Sequence, residues 1–196
     1  MTTDEVHVAR ALLDGAVTVF RSHKAWADRA IAQLDDERLR AALDANTNSV
    51  AVIMKHVVGN LRSRWTDFLT ADGEKPWRDR DDEFVDTFAT RAELIDYWES
   101  GWQRLFDTLA ALTPADLART VTIRGEPHSV PLAIQRSLAH CAYHTGQILL
   151  IARILSGENW TTITIPRGGS AGFNQRVWGK GHYGRPGAGK VDAAGG

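Results

Sequence analysis

Four stretches of this chain place their apolar residues at spacings of threes, fours and sevens, and that periodicity restricts the fold more than any other feature. An α-helix advances about 100° per residue, so such spacing gathers side chains on one face. The first stretch, 4–34, carries Val6, Leu13, Val17, Phe20, Ala27, Ile31 and Leu34, with Thr3 suited to cap it ahead of Asp4 and Glu5. The second, 50–69, aligns Val50, Ile53, Met54, Val57, Leu61, Trp65 and Phe68 behind a cap at Asn48 or Ser49. The third, 91–112, follows Thr90, aligns Leu94, Trp98, Leu105, Leu109 and Leu112, and stops at Thr113-Pro114. The fourth, 131–157, opens with Pro131 in its first turn and closes at Gly157.

The segments between them are short on pattern. DDERLRAALDANTNS reads as a connection with a short helical turn. TADGEKPWRDRDDEF is a charged loop, either a solvated connection or, given its length, part of a site entrance. In TVTIRGEPHSV, β-branched residues alternate around Arg124-Gly125-Glu126, which predicts a hairpin. NWTTITIPRGGSAGFN holds one short β-like run, then Gly and Ser. The fold expected is all-α: a four-helix bundle with a small β-hairpin before the last helix, occupying 1–178. A mobile Gly/Ala-rich tail is expected over 179–196.

Composition narrows the function. With 23 basic and 24 acidic residues, nothing favours nucleic acid or an anionic membrane. The one cysteine, Cys141, cannot build an internal disulfide, and a cytoplasmic location fits. The opening MTTDEVHVARALLDG lacks the apolar run of a signal peptide, and no stretch approaches the roughly 20 apolar residues of a membrane span.

Within LAHCAYHTGQILL, His140 and His144 stand four apart and share a helical direction with Ala133, Ile151, Ile154 and Leu155. They are either core histidines satisfied by hydrogen bonds or half of a metal site, since imidazoles at i and i+4 reach one ion. His56 sits at the edge of the second stripe and opens a polar seam with Asn60, Ser63 and Asp67. Three neutral imidazoles plus water make an open coordination shell for zinc and neighbouring metals. His7 and His23 read as surface residues, His182 falls in the tail, and His128 could border a pocket. Cys141 is turned about 100° from His140 and reads as packing.

NSVAVIMKHVVGNLRSRWTDFLTADGEKPW, TVTIRGEPHSV, LAHCAYHTGQI and IPRGGSAGFN carry a resemblance to the DinB/YfiT-like superfamily, in particular its DUF1572 branch, over roughly 5–175. That resemblance implies a four-helix bundle and a metal triad at His56, His140 and His144, with zinc or nickel as the divalent ion. It also implies an activity class. Characterised relatives include S-transferases using bacillithiol or glutathione and a mycothiol-dependent isomerase, so a low-molecular-weight thiol is the implied cosubstrate.

The first expectation is therefore an enzyme acting on a small-molecule substrate, a thiol S-transferase or a hydrolase. Asn60, one turn from His56, would orient a ligand or water, and Arg64, about 80° from His56, would grip a substrate carboxylate. The alternative for Arg62 and Arg64 is a salt bridge with the 72–83 loop. The second expectation is a non-catalytic metal- or ligand-binding module, whose fourth ligand would come from His128, Glu126 or Asp67. Asp67 lies roughly 16 Å along the helix from His56, which argues against it. The third is a metal-free helical surface for a partner. Trp65 and Trp98 read as core, while Trp77, Trp160 and Trp178 fall in irregular segments. A homodimer is expected from the resemblance.

Overall fold

The computed structural model describes residues 1–177 and is mostly helical. Trp178, His182 and the tail expected over 179–196 lie outside the described residues. Among the described residues there are six α-helices and one two-stranded antiparallel hairpin. The long helices are α1 Thr3–Ile31, α3 Val50–Trp65, α4 Arg91–Ala111 and α5 Val130–Ser156. The short ones are α2 Asp36–Arg40 and α6 Ser170–Val177, and the hairpin pairs β1 Thr120–Ile123 with β2 Glu126–Ser129. α1 packs on α5, and α3 packs on both α4 and α5. None of these helices is long and apolar enough to cross a membrane.

Side chains that satisfy the first free N–H groups set where the helices begin. Ser49 accepts from Val52 N to start α3, and Ser129 accepts from Leu132 N to start α5. Thr90 and Glu93 close a reciprocal capping box at α4. At α1 the cap is Thr2, one residue before the expected Thr3: Thr2 Oγ1 accepts from Glu5 N, and the Glu5 carboxylate accepts from Thr2 N. Only Thr2 has a glutamate three positions on.

α3 ends at Trp65, short of the expected 69. Thr66 is already extended, and Asp67 takes φ 48° while its carbonyl accepts from Thr70 N and Ala71 N. The chain thus turns on Asp67, although Phe68 stays buried. α3 is the central helix, buried on nearly every side, so its polar residues must find partners. Lys55 Nζ donates to Asp82 O (2.7 Å), Val85 O (2.8 Å) and Thr87 Oγ1 (2.9 Å). Ser63 Oγ donates to Gly73 O (2.7 Å) and accepts from Lys75 N (3.3 Å). These bonds strap the charged loop onto α3, burying Gly73, Lys75 and Glu83, so the loop is no solvated connection.

The hairpin turns through Arg124 (φ 57°) and Gly125 (φ 75°). Two consecutive positive φ angles are what a tight right-twisted hairpin requires. Asp72 accepts from the N–H groups of both residues at 2.8 Å, which docks the turn on the loop.

Three expectations are corrected here. Val6 and Ile154 lie on their helical stripes yet are 37% and 52% exposed, because none of the described residues covers them. The β-like run near residue 163 forms no strand. It has no partner strand among the described residues, and side chains at the end of α1 and just beyond it serve its backbone instead: Gln33 bonds both Thr161 N (2.7 Å) and Thr161 O (3.1 Å), and Arg29 donates to Ile163 O (2.7 Å). His23 is half-buried, edge-on to Trp26 with centroids 5.5 Å apart, and is not a surface residue.

Candidate metal centre

His56 on α3 faces His140 and His144, one turn apart on α5. One ring nitrogen from each of the three lies within 4.8 Å of the others, and the His56 and His140 Nε2 atoms are 3.2 Å apart. Tetrahedral ligands at about 2.0–2.1 Å from an ion lie about 3.3 Å from one another, so the His56–His140 spacing fits.

The hydrogen bonds behind the rings decide which nitrogens are free. His56 Nδ1 is 2.9 Å from Glu83 Oε2. A carboxylate only accepts, so the proton of that bond sits on His56 Nδ1, and Nε2 is the nitrogen turned towards His140. His144 Nδ1 donates likewise to Gln147 Oε1 at 2.7 Å. His140 Nδ1 is buried without a protein partner. Burial, with the charges of His144, His56, Arg78 and Arg64 behind it, lowers His140 to about 3. Burial also lowers His144 to about 4, the bond to Gln147 opposing. Both rings are therefore neutral near pH 7, the state in which imidazole binds metal. The donor set fits a divalent ion: three imidazoles, two with Nδ1 tied to an oxygen acceptor in the manner that orients metal-bound histidines.

Glu83 was not legible as part of this site, and it carries much of its order. Its carboxylate takes His56 Nδ1 together with Arg78 Nε (2.7 Å) and Nη2 (2.9 Å). Burial raises the Glu83 carboxyl, but the bonds from His56 and Arg78 outweigh it and hold it below the usual range. Lys55, the neighbour of His56, anchors the 3-10 turn Asp82–Phe84 that carries Glu83. Gly59 leaves the space: a Cβ there would meet Glu83 Cδ at 2.5 Å. Phe84 stacks on His56 with centroids 5.0 Å apart. Gln147 was findable, because it stands three residues after His144 on the same helix; Glu83 is 27 residues from His56 and is brought there only by the loop.

The triad opens on a cavity of about 380 Å³ between α3, α5 and the hairpin. Asn60 and Arg64 both line it, as expected of residues near His56. Arg64 also takes the salt-bridge alternative, bonding Gly73 O and the Glu74 carboxylate. Arg62 points elsewhere, over the Tyr97 ring at 5.4 Å. His128 is buried beside the cavity and acts through Arg136, whose Nη1 donates to its Nε2. Asp67 and Glu126 do not line the cavity, and His7 is exposed. Burial pushes the Cys141 thiol up to about 12, in keeping with packing and not reactivity.

The chain belongs to the family described as protein of unknown function (DUF1572), whose model matches residues 7–169. Neither the curated proteins nor the solved structures contain a match to it.

Proposed function

We propose that this protein is a divalent-metal-dependent enzyme that activates a low-molecular-weight thiol or water at His56, His140 and His144, as a thiol S-transferase or a hydrolase. The reading includes a DinB-like four-helix bundle formed by α1, α3, α4 and α5. One observation carries it: three imidazoles, those of His140 and His144 neutral at pH 7, bring ring nitrogens within 4.8 Å of one another at the end of a cavity large enough for a small substrate. Zinc or nickel held there would lower the pKa of a bound thiol or water. The protein's part is to orient and to exclude. Glu83 and Gln147 keep the His56 and His144 rings turned, Asn60 stands one helical turn from His56 to hold a ligand or water, and Arg64 presents a guanidinium to the substrate. Three protein donors leave room for a further ligand.

The test is metal content by elemental analysis of tag-free protein, wild type and His144→Ala. Near-stoichiometric metal that falls sharply in the variant is expected. Consumption of a small thiol against a model electrophile should then require that metal. No metal in the wild type after incubation with zinc or nickel would overturn the proposal.

A further inference from the structure

The wall of the cavity beside the histidines carries charge of one sign. Its charged lining residues are Arg64, Arg80, Arg124 and Arg136, and no Asp or Glu lines it among the described residues. One carboxylate, Glu74, sits behind three of them. Arg80 reaches it through Nε (3.2 Å) and Nη2 (2.8 Å), Arg124 through Nε (3.1 Å) and Arg64 through Nη2 (3.3 Å). Arg78, buried behind them, is 3.8 Å from the same group. Burial raises the Glu74 carboxyl, and the guanidinium groups outweigh burial and hold it at about 2. The neighbouring Asp72 spends its oxygens on the N–H groups of Glu74, Arg124 and Gly125.

Glu74 cannot saturate this cluster. A guanidinium has five N–H donors in a fixed fork, and a carboxylate has two oxygens. Arg136 is held by an imidazole instead of an acid: His128 Nδ1 donates to Glu126 O (2.9 Å), and Nε2 accepts from Arg136 Nη1. That bond fixes the direction of Arg136 without cancelling its charge. Four guanidinium groups thus line a cavity that already holds three imidazole donors, with Glu74 shared among three of them and Asp72 spent on backbone N–H groups.

We infer that this wall binds the acid group of an anionic small-molecule substrate, with Arg80, Arg124 and Arg136 gripping a carboxylate or phosphate while the rest of the molecule extends to the histidines. The fork suits either anion, since both accept two parallel N–H bonds. The assignment of the histidine end rests on the metal reading; the anion seat does not.

The test is calorimetric titration of the full chain, zinc-loaded and metal-stripped, with succinate, its neutral analogue succinamide, and inorganic phosphate. Succinate is expected to bind both forms and succinamide neither. Competition by phosphate would show that the seat takes anions of either kind. Arg124→Gln and Arg136→Gln, both at solvent-exposed positions, should each weaken succinate on the order of tenfold, the worth of one charge-assisted contact. Glu74→Gln should tighten it by freeing donors. Equal binding of succinate and succinamide, or no succinate binding at millimolar concentration, overturns the inference. So does succinate binding that vanishes with the metal and ignores both arginine substitutions, because the anion would then sit on the ion. Metal content measured on the same samples separates the two ideas: metal uptake without succinate binding defeats the anion seat alone, and succinate binding by protein that takes up no zinc on loading defeats the metal centre alone.

Discussion

Replacing Gly59 by alanine sets two physical effects against each other. Gly59 lies inside α3, where alanine normally stabilises a helix by about 0.8–1 kcal/mol. Here the new Cβ would lie 2.5 Å from Glu83 Cδ and 2.9 Å from Cγ. A flexible acid at a surface would swing aside. Glu83 is 4% exposed, and its carboxylate is shared between His56 and Arg78. The Arg78 side chain is 1% exposed, so displacing Glu83 breaks its bidentate pair and leaves a buried guanidinium with only Glu74, 3.8 Å away. Breaking such a buried pair costs about 3–5 kcal/mol, so after the helical gain Gly59→Ala should lose about 2–4 kcal/mol. The His56 ring loses its orienting carboxylate as well, and metal affinity should fall about 10–100-fold. Urea unfolding reads the first effect and competition with a chelating dye the second. The same substitution in a Glu83→Ala background meets no clash and should be neutral or stabilising, which makes a double-mutant cycle. A Gly59→Ala protein more stable than wild type, or one with equal effects in both backgrounds, would refute the reasoning.

Three further predictions follow from the packing. Gly101→Ala on α4 places a Cβ 2.8 Å from Val58 Cγ1 and 3.1 Å from Val58 Cα, and overpacking of this kind should cost about 1–3 kcal/mol in the midpoint of denaturant unfolding. The Glu74 carboxyl is held at about 2, below its ordinary 4.5, so its contribution to stability is complete above about pH 4.5 and fades as the pH falls toward 2. Stability-against-pH curves of wild type and Glu74→Gln should therefore converge across that window; parallel curves would show that the arginines do not stabilise the ionised form. Cys141 is 1% exposed, so an aromatic disulfide reagent should leave it unmodified in the native protein and label one thiol per chain after unfolding.

What could be read early and what could not divide along chain distance. Helical periodicity, the caps at Ser49 and Thr90, the hairpin turn at Arg124-Gly125 and the shared direction of His140 and His144 all depend on residues within a few positions of one another. Patterns of that range are written directly in residue order. The same logic misplaced what depends on neighbours in space. Val6 and Ile154 kept the period but found nothing among the described residues to cover them. The run near residue 163 had β-branched residues but no strand beside it among the described residues, and Arg29 of α1 and Gln33 just after it took its backbone bonds.

The metal candidate shows the division most clearly. His140 and His144 were paired by spacing alone, and Gln147 could have joined them. His56 was a candidate from its place at the edge of the second stripe and was matched again by the family resemblance, but its distance of 3.2 Å to His140 needed α3 and α5 packed together. Nothing in the order of residues singled out Glu83 from the other acids of its loop, or joined Arg64, Arg80, Arg124 and Arg136 on one wall. Those choices were made when Lys55 and Ser63 pulled the loop onto α3 and Asp72 docked the hairpin turn. By itself the sequence determined which segments coil and which faces are apolar, because short-range sterics and hydrogen bonding dictate both. Only the tertiary structure decided which charges meet, because a buried ion needs a partner and the partner is whatever the packed chain brings within reach.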